Sequence, residues 1–314
     1  MSNVLGVDIG GTKVAVGVVD RTGKILQQGR KPMSANGSPE AGLQAVMEAI
    51  DSMGSGFESI GICAPGPLDP RTGVVLNPPN LPCWRNFPLA EEIRKKYSVK
   101  VKVDNDANAA ALAETIWGAA RGFRYVFYAT VGTGIGSGIV LDGRIYHGKT
   151  GSAAEGGHQS IDYRGPVCNC GKRGCIEILA AGPAIAKRAR SKFEGSARAS
   201  MILELAHGDV AAIKSEMVGQ AFASGDAVAR EVLQETVDLL TAWLGNVVDM
   251  LDPDVLVMGG GVAAMLQPFF DEIKKNLPRW CVNPHVADIP LLMAHYGADA
   301  GIAGGAALCV GDVS

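Results

Sequence analysis

Between Glu155 and Glu177 the chain reads EGGHQSIDYRGPVCNCGKRGCIE, with one histidine and three cysteines (His158, Cys168, Cys170, Cys175) enclosed by two carboxylates. Zinc takes thiolate and imidazole ligands in a closed tetrahedron, and Cys3His is one of its usual structural sets. The C-x-C-x4-C spacing brings three sulfurs onto one tight loop, and Gly171 and Gly174 supply the turns such a loop needs. The competing reading is scattered buried thiols, or a disulfide among them. Four protein ligands would leave no open position for water, so the metal would hold Glu155, His158 and Glu177 in place rather than catalyse.

A second group of residues points to phosphate chemistry. Asp8-x-Gly10-Gly11-Thr12-Lys13 sets a carboxylate at a strand end beside a glycine loop. Backbone amides in such a loop can grip phosphate, and the carboxylate can hold Mg2+ directly or through water. The loop is not G-x4-G-K-[ST], and Gly132-Thr133-Gly134-Ile135-Gly136 is not the dinucleotide fingerprint G-x-G-x-x-G. Each glycine cluster alone could be an ordinary hairpin turn, but three of them (10–13, 132–136, 259–261) at strand ends suggest a nucleotide cradle. Asp106 follows Asn105 at the start of a predicted helix. It reads either as a helix cap or as the base that accepts a proton from a substrate hydroxyl. Asn80, Asn105, Glu155, His158 and Glu177 add planar hydrogen-bonding groups suited to a polyhydroxylated ring. If one ring nitrogen of His158 binds zinc, the other keeps a proton that could reach a sugar hydroxyl.

The elements that must position these groups follow from apolar patterning. Val4–Asp8, Val14–Asp20 and the KILQQGRK segment predict three antiparallel strands, the first turn being the glycine loop. Ser38 caps a predicted helix from Pro39 to Ser52 with Leu43, Val46, Met47 and Ile50 on one face. A strand at Ser59–Ala64, a Pro- and Asn-rich loop at Asn77–Phe87, a helix at Leu89–Tyr97, a strand at Val99–Val103 and an Ala-rich helix from Ala107 to Trp117 follow. The pattern then restarts: a strand at Arg124–Val131, a glycine turn, and G-I-V-L-D-G-R-I in place of the earlier G-V-V-D-R-T-G-K-I. That duplication predicts two similarly built lobes with a cleft between them. Further on, helices are expected at Ala180–Phe193, Met201–Ala206, Ala211–Phe222 and Asp226–Leu251. Strands are expected at Asp254–Met258 and Ile289–Met293, with helices starting near Val262 and spanning Ala298–Leu308.

Composition narrows the classes. With 314 residues and 47% hydrophobic content, the chain can bury a sizeable core in two domains or one large one. A net charge of −3 without a Lys/Arg cluster argues against a nucleic-acid partner. Cys63, Cys83, Cys281 and Cys309 read as reduced thiols. The N-terminus lacks the basic start and cleavage site of a signal peptide, and no uncharged run is long enough to span a bilayer. The expectation is a cytoplasmic protein with no membrane association.

The segments LGVDIGGTK, PGPLDP, NPPNLPCW, DNDANAAALAE, VGTGIGSGI, EGGH, CNCGKRGCIE and DPDVLVMGGGV resemble the ROK family (repressors, open reading frames and sugar kinases), most of all its bacterial glucokinases. They cover nearly the whole chain in the family's order. The resemblance implies a two-domain α/β fold of the actin-like, ribonuclease-H-like ATPase kind, with an interdomain cleft. In that fold the closing helix returns to the first domain, giving 1–117 plus 298–314 as a small N-terminal domain and 118–297 as a large one with the zinc loop. It also implies Asp106 as general base, and sugar contacts from Asn80, Asn105, Asp106, Glu155, His158 and Glu177. Phosphate contacts would come from Gly10, Gly11, Thr12, Lys13, Thr133 and Gly134, with Asp8 joining the cofactor-binding set near Mg2+, the nucleoside near Gly260 and zinc on His158, Cys168, Cys170 and Cys175. Two departures concern the sugar loops: Gly156 stands where many relatives have an apolar residue, and Cys83 precedes Trp84. Too few residues precede Asp8 for the helix-turn-helix of the family's repressors.

The expectation is therefore an ATP- and Mg2+-dependent kinase acting on the 6-hydroxyl of a hexose, glucose first, with structural Zn2+ and a homodimeric state. Rival readings are another sugar (fructose, mannose, allose or an N-acetylhexosamine), polyphosphate or ADP as donor, and a sugar sensor that binds without catalysing. A purely structural zinc module would leave three glycine clusters without a purpose.

Overall fold

The structure, a computed structural model, describes residues 3–195 and 198–310. Strands β1 (Asn3–Ile9), β2 (Lys13–Val19) and β3 (Ile25–Pro32) form the expected antiparallel meander. After helix α1 (Pro39–Asp51), strand β4 (Phe57–Ala64) joins β1 in parallel. A short ribbon of β5 (Leu68–Asp69) and β6 (Val74–Val75), then helix α2 (Leu89–Tyr97), lead to β7 (Lys100–Asn105), which lies parallel to β4 and runs into α3 (Asp106–Ile116). The second half opens with β8 (Tyr125–Val131), β9 (Ile135–Leu141) and β10 (Arg144–Ile145). It continues through α4 (Ile176–Ala180), α5 (Gly182–Ser191), α6 (Met201–Leu205), α7 (Ser215–Ala223) and α8 (Ala227–Leu251). It closes with β11 (Val255–Gly259), α9 (Gly261–Leu266), α10 (Phe270–Asn276), β12 (Leu291–Met293) and α11 (Ala300–Val310). Among the described residues no helix is long and apolar enough to cross a membrane.

The two sheets have the same plan. Their strand orders are β3-β2-β1-β4-β7 and β10-β9-β8-β11-β12, so each strand of the first has a counterpart in the second. This is the duplicated α/β arrangement of the actin-like, ribonuclease-H-like ATPase fold, and the restart at Arg124 marks the second copy.

By contact density the chain divides into two compact units. The first holds 1–128, 138–154 and 294–314, and the second holds 129–137 and 155–293. The expected boundary at 117/118 differs from this division, which keeps 118–128 and 138–154 with the first unit. Two contacts within the first unit account for the second stretch: His147 bonds to Asp104 at 2.6 Å, and Gly138 lies on the Ala107–Ala111 turn of α3.

In the first unit, one sheet face packs Val7, Val16 and Ile62 against Val46 and Ile50 of α1 and Leu89 and Ile93 of α2. The other face meets α11 through Val4, Ala15, Val19, Ile302 and Ala306. The approach there is backbone on backbone. A Cβ added at Gly61 would lie 1.7 Å from the carbonyl oxygen of Gly305, and one at Gly6 would lie 1.9 Å from that of Ile302. Gly304 in turn rests on Ala109, so the run of alanines in α3 is a small-residue surface for close helix packing. A Gly61→Ala protein must shift its backbone here, with an expected loss of about 3 kcal/mol and a fall in Tm on the order of 5–10 °C in thermal melts.

Two expected helices differ in outline. Ala180–Phe193 begins instead at Gly182, as α5, because Ala181 is extended (φ −70°, ψ 168°), and Ala180 ends the separate short helix α4. Proline lacks the amide that an interior position must donate, but it suits a first turn. Ala211–Phe222 likewise becomes a short 3-10 turn, Val210–Ala212, followed by α7.

Candidate functional site

In the first unit the candidate residues collect at the ends of β1 and β7. Asp8 pairs in register with Ala15 on one side and Cys63 on the other. Its carboxylate has room only because α11 presents a glycine: a Cβ at Gly301 would lie 2.3 Å from Asp8 Cγ. Burial pushes the Asp8 carboxyl up to about 6, the charge of Asp106 adds to the rise, and Lys13 and Arg30 partly oppose it. A carboxyl held above its unfolded value of 3.8 contributes stability while protonated, and that contribution is lost as pH rises through about 6. Asp8→Asn should therefore melt higher than the parent at pH 8 in the absence of ligands, with the gap closing below pH ~4. A gap independent of pH would show that Asp8 is not the strained group.

The glycine loop is tied on both sides. Gly10 N–H donates to the Lys13 carbonyl at 2.9 Å, and the carbonyls of Gly11 and Thr12 accept from Ala35 and Met33. Gly11 faces the backbone oxygen of Asn80, where a Cβ would come within 2.7 Å. Cys83 N–H donates to the Ala35 carbonyl at 2.9 Å. Trp84 is buried, donating from Nε1 to the Pro39 carbonyl at 3.1 Å and stacking on Phe87 with centroids 4.9 Å apart. The Asn80 loop is thus fastened to the loop of residues 10–13.

At the end of β7 the structure separates two roles that the sequence left open. The cap of α3 is Asn105, whose Oδ1 accepts from Ala107 N–H at 2.9 Å and Asn108 N–H at 3.4 Å. Asp106 is the first helical residue and does not cap α3. Its Oδ1 accepts from Ala107 N–H at 2.8 Å. Desolvation in its dense surroundings raises the Asp106 carboxyl above the ordinary range, against lowering bonds from the backbone and Asn105. A raised pKa at a helix start, where a carboxylate is normally favoured, suits a proton acceptor.

Sequence reasoning missed the residue beside this pair. Asp104 is buried and accepts from Asn105 N–H at 2.7 Å and Asn108 Nδ2 at 3.1 Å, and bonds His147 Nε2 at 2.6 Å. The D-N-D spacing was available as a hint, since residues two apart on an extended chain share a face and two carboxylates so close need separate partners.

In the second unit the four proposed zinc ligands converge, their donor atoms all within 4.8 Å of one another. Cys168 Sγ lies 3.7 Å from His158 Nδ1, and Cys170 Sγ lies 3.6 Å from Cys175 Sγ. A tetrahedral site with Zn–S bonds near 2.3 Å has edges of about 3.8 Å, so the donor set fits zinc and the sulfurs are not in a disulfide. The turns are the expected ones. Gly171 and Gly174 have φ +89° and +63°, and a Cβ at Gly174 would lie 1.6 Å from the Asp162 carbonyl oxygen. With Nδ1 toward the sulfurs, Nε2 of His158 is the nitrogen left for another partner.

Glu177, the second residue of α4, ties this loop to the glycine turn after β8. Its Oε2 accepts from Ile135 N–H at 2.9 Å, and its Oε1 lies 4.0 Å from His158 Nδ1. Glu155 precedes the short 3-10 turn Gly156–His158. Gly156 is explained by its neighbours: a Cβ would meet Ser137 Oγ at 2.5 Å and the Trp243 ring at 3.2 Å. Gly182 N–H donates to the Gly132 carbonyl at 2.8 Å, which seats the amino end of α5 beside Thr133. Next to it opens a cavity of about 500 Å3, with Thr133, Ala186, Lys214, Glu216, Gly261 and Met265 in its walls. Gly260 adjoins it with φ +89°, and a Cβ there would lie 2.4 Å from the Val131 carbonyl oxygen.

Residues 4–311 match the family model described as the ROK family. The chain is 32% identical over 307 residues to a glucokinase of Thermotoga maritima, covering 97% of this chain and 96% of that protein. It is 30% identical over 310 residues to an N-acetylmannosamine kinase of Citrobacter koseri, covering 99% of each. Among solved structures, a ROK family glucokinase from Streptomyces griseus in complex with glucose and AMPPNP matches with a TM-score of 0.84 at 35% identity, over 98% of this chain and 99% of that one.

Proposed function

The chain belongs to the ROK family, it is a sugar kinase, and on that premise we propose that it transfers the terminal phosphoryl group of ATP to the 6-hydroxyl of glucose. The observation that carries this reading is Asp106: a carboxylate released from capping by Asn105, raised in pKa by its surroundings, and placed next to a second carboxylate, Asp8.

In this reading Asp106 takes the proton of the sugar hydroxyl as its oxygen bonds to phosphorus and the bond from phosphorus to the ADP oxygen breaks. The products are hexose 6-phosphate and ADP. Asn80, Asn105, Glu155, His158 and Glu177 hold the ring hydroxyls, and fixing the acceptor is worth several kcal/mol of the barrier. The amides of Gly10–Lys13 and the Thr133–Gly134 turn meet the phosphates, with the amino end of α5 adding a favourable dipole. The cavity beside Gly260 suits a nucleoside, its Ala186, Val262 and Met265 walls apolar and its Lys214 and Glu216 rim polar. Mg2+ would be held at Asp8, where two neighbouring carboxylates disfavour their own charge, and would neutralise the terminal phosphates. Zinc would sit on His158, Cys168, Cys170 and Cys175 and fix the sugar-binding side chains.

Glucose is favoured by the named glucokinase relatives, and an N-acetylhexosamine is the second reading, on the likeness to an N-acetylmannosamine kinase. A coupled assay of ADP release across a sugar panel tests both. Glucose should give the highest kcat/KM; a preference for N-acetylmannosamine, or no sugar-dependent ADP release, would overturn the proposal. A cytoplasmic homodimer remains part of the proposal, tested by light scattering and fractionation.

A further inference from the structure

The first unit contains a second large hollow, about 760 Å3, on residues that the kinase reaction does not use. Four cationic side chains stand in its walls, Arg71, Arg94, Lys102 and Arg144, against two carboxylates, Asp104 and Asp142. Both carboxylates are engaged: Asp142 pairs with Arg124 at 2.6 Å, and Asp104 with His147 at 2.6 Å. Arg71 pairs with Asp69 at 3.2 Å, with most of its side chain exposed. Arg94, on α2, and Arg144, on β10, form no ion pair among the described residues. Two guanidiniums without a carboxylate partner among the described residues, Arg94 and Arg144, line one concave site, and arginine forks suit phosphate oxygens.

The floor of the hollow is Asp104 with His147. Asp104 receives Asn105 N–H at 2.7 Å and Asn108 Nδ2 at 3.1 Å, which fixes the end of β7 from which Asp106 projects. The wall is therefore in direct hydrogen-bonded contact with the residues that orient the base.

We propose that this hollow is a regulatory site for a small phosphorylated metabolite, and that its occupancy changes turnover through Asp104 and His147. The binding half stands on the cavity alone, whereas the effect on turnover rests on the reading of Asp106 as base. The volume admits a molecule of sugar-bisphosphate size, and the separated arginines favour a ligand with more than one anionic group over inorganic phosphate.

Calorimetric titration with fructose 1,6-bisphosphate tests it, using protein saturated with glucose and a non-hydrolysable ATP analogue so that the phosphate loops are filled. One molecule should bind per chain, more tightly than inorganic phosphate. Arg94→Glu/Arg144→Glu should weaken binding by at least about 10-fold while leaving kcat without effector unchanged. In the wild type the bisphosphate should change kcat without competing with ATP. No binding to the saturated protein, or equal binding by the double variant, would overturn the site. Binding with an unaltered kcat would overturn its link to Asp106, while sugar-dependent ADP release in the same preparation would show that the kinase reading itself survives.

Discussion

An Asp106→Asn protein should fold, bind sugar and nucleotide, and turn over about 10^2–10^4-fold more slowly. The expectation is sharp because the substitution is nearly isosteric and the helix start does not depend on it. Asn105 supplies the cap, and an asparagine at 106 can still accept from Ala107 N–H. What disappears is the ability to receive a proton, so the loss belongs in kcat, with KM for glucose little changed. Asn105→Ala makes the contrast. Losing a cap costs about 1 kcal/mol of stability, and a proposed sugar contact goes with it, so Tm and KM should both suffer. If Asp106→Asn retained near-parental kcat, or if its loss were matched by a fall in Tm, Asp106 would not be the base.

Removing one sulfur from the metal loop should be comparably damaging by another route. Cys175 is fully buried, and its thiolate would be one of four zinc ligands. Structural zinc contributes apparent binding energies on the order of 10–16 kcal/mol to the fold that holds it. Cys175→Ser should therefore lose its zinc, read by atomic absorption as a fall from one metal per chain to none, and the loop should become sensitive to protease. Because Glu177 is the second residue after Cys175 and accepts from Ile135 N–H, the sugar contacts should loosen with it. The expected result is a drop in kcat/KM for glucose on the order of 100-fold, carried mostly by KM. Full activity in a zinc-free protein would show that the loop holds its own shape, and the metal would lose its proposed role.

Much of this was readable in the residues, for identifiable reasons. The metal loop declares itself because thiol spacing and glycine turns are local: Gly171 and Gly174 have the positive φ their positions demanded. The duplication was visible because each half begins with a hairpin opened by a glycine turn, and the two sheets share one strand order. What stayed hidden was non-local. Nothing near Asp104 announces that His147, far along the chain, will pair with it. Which of two adjacent polar residues caps α3 depends on backbone dihedrals at a single residue, and Asn105 took the place that carboxylates fill well elsewhere. The start of α5 was legible in Gly182-Pro183, a helix-start signal that the expected start at Ala180 overran by two residues. The purpose of Gly156 emerges only once Ser137 and Trp243 are seen to occupy the space beside it.

The seating of α11 on β1 and β4, glycine against carbonyl, bears on how the molecule is made. A ribosome delivers the first strands early, yet the helix that covers them is encoded much later in the message. Until residues 300–310 leave the exit tunnel, one side of that sheet has no lid and its apolar surface is available to chaperones. The middle of the chain carries no such debt to the terminus, so synthesis should yield a finished second unit tethered to an unfinished first.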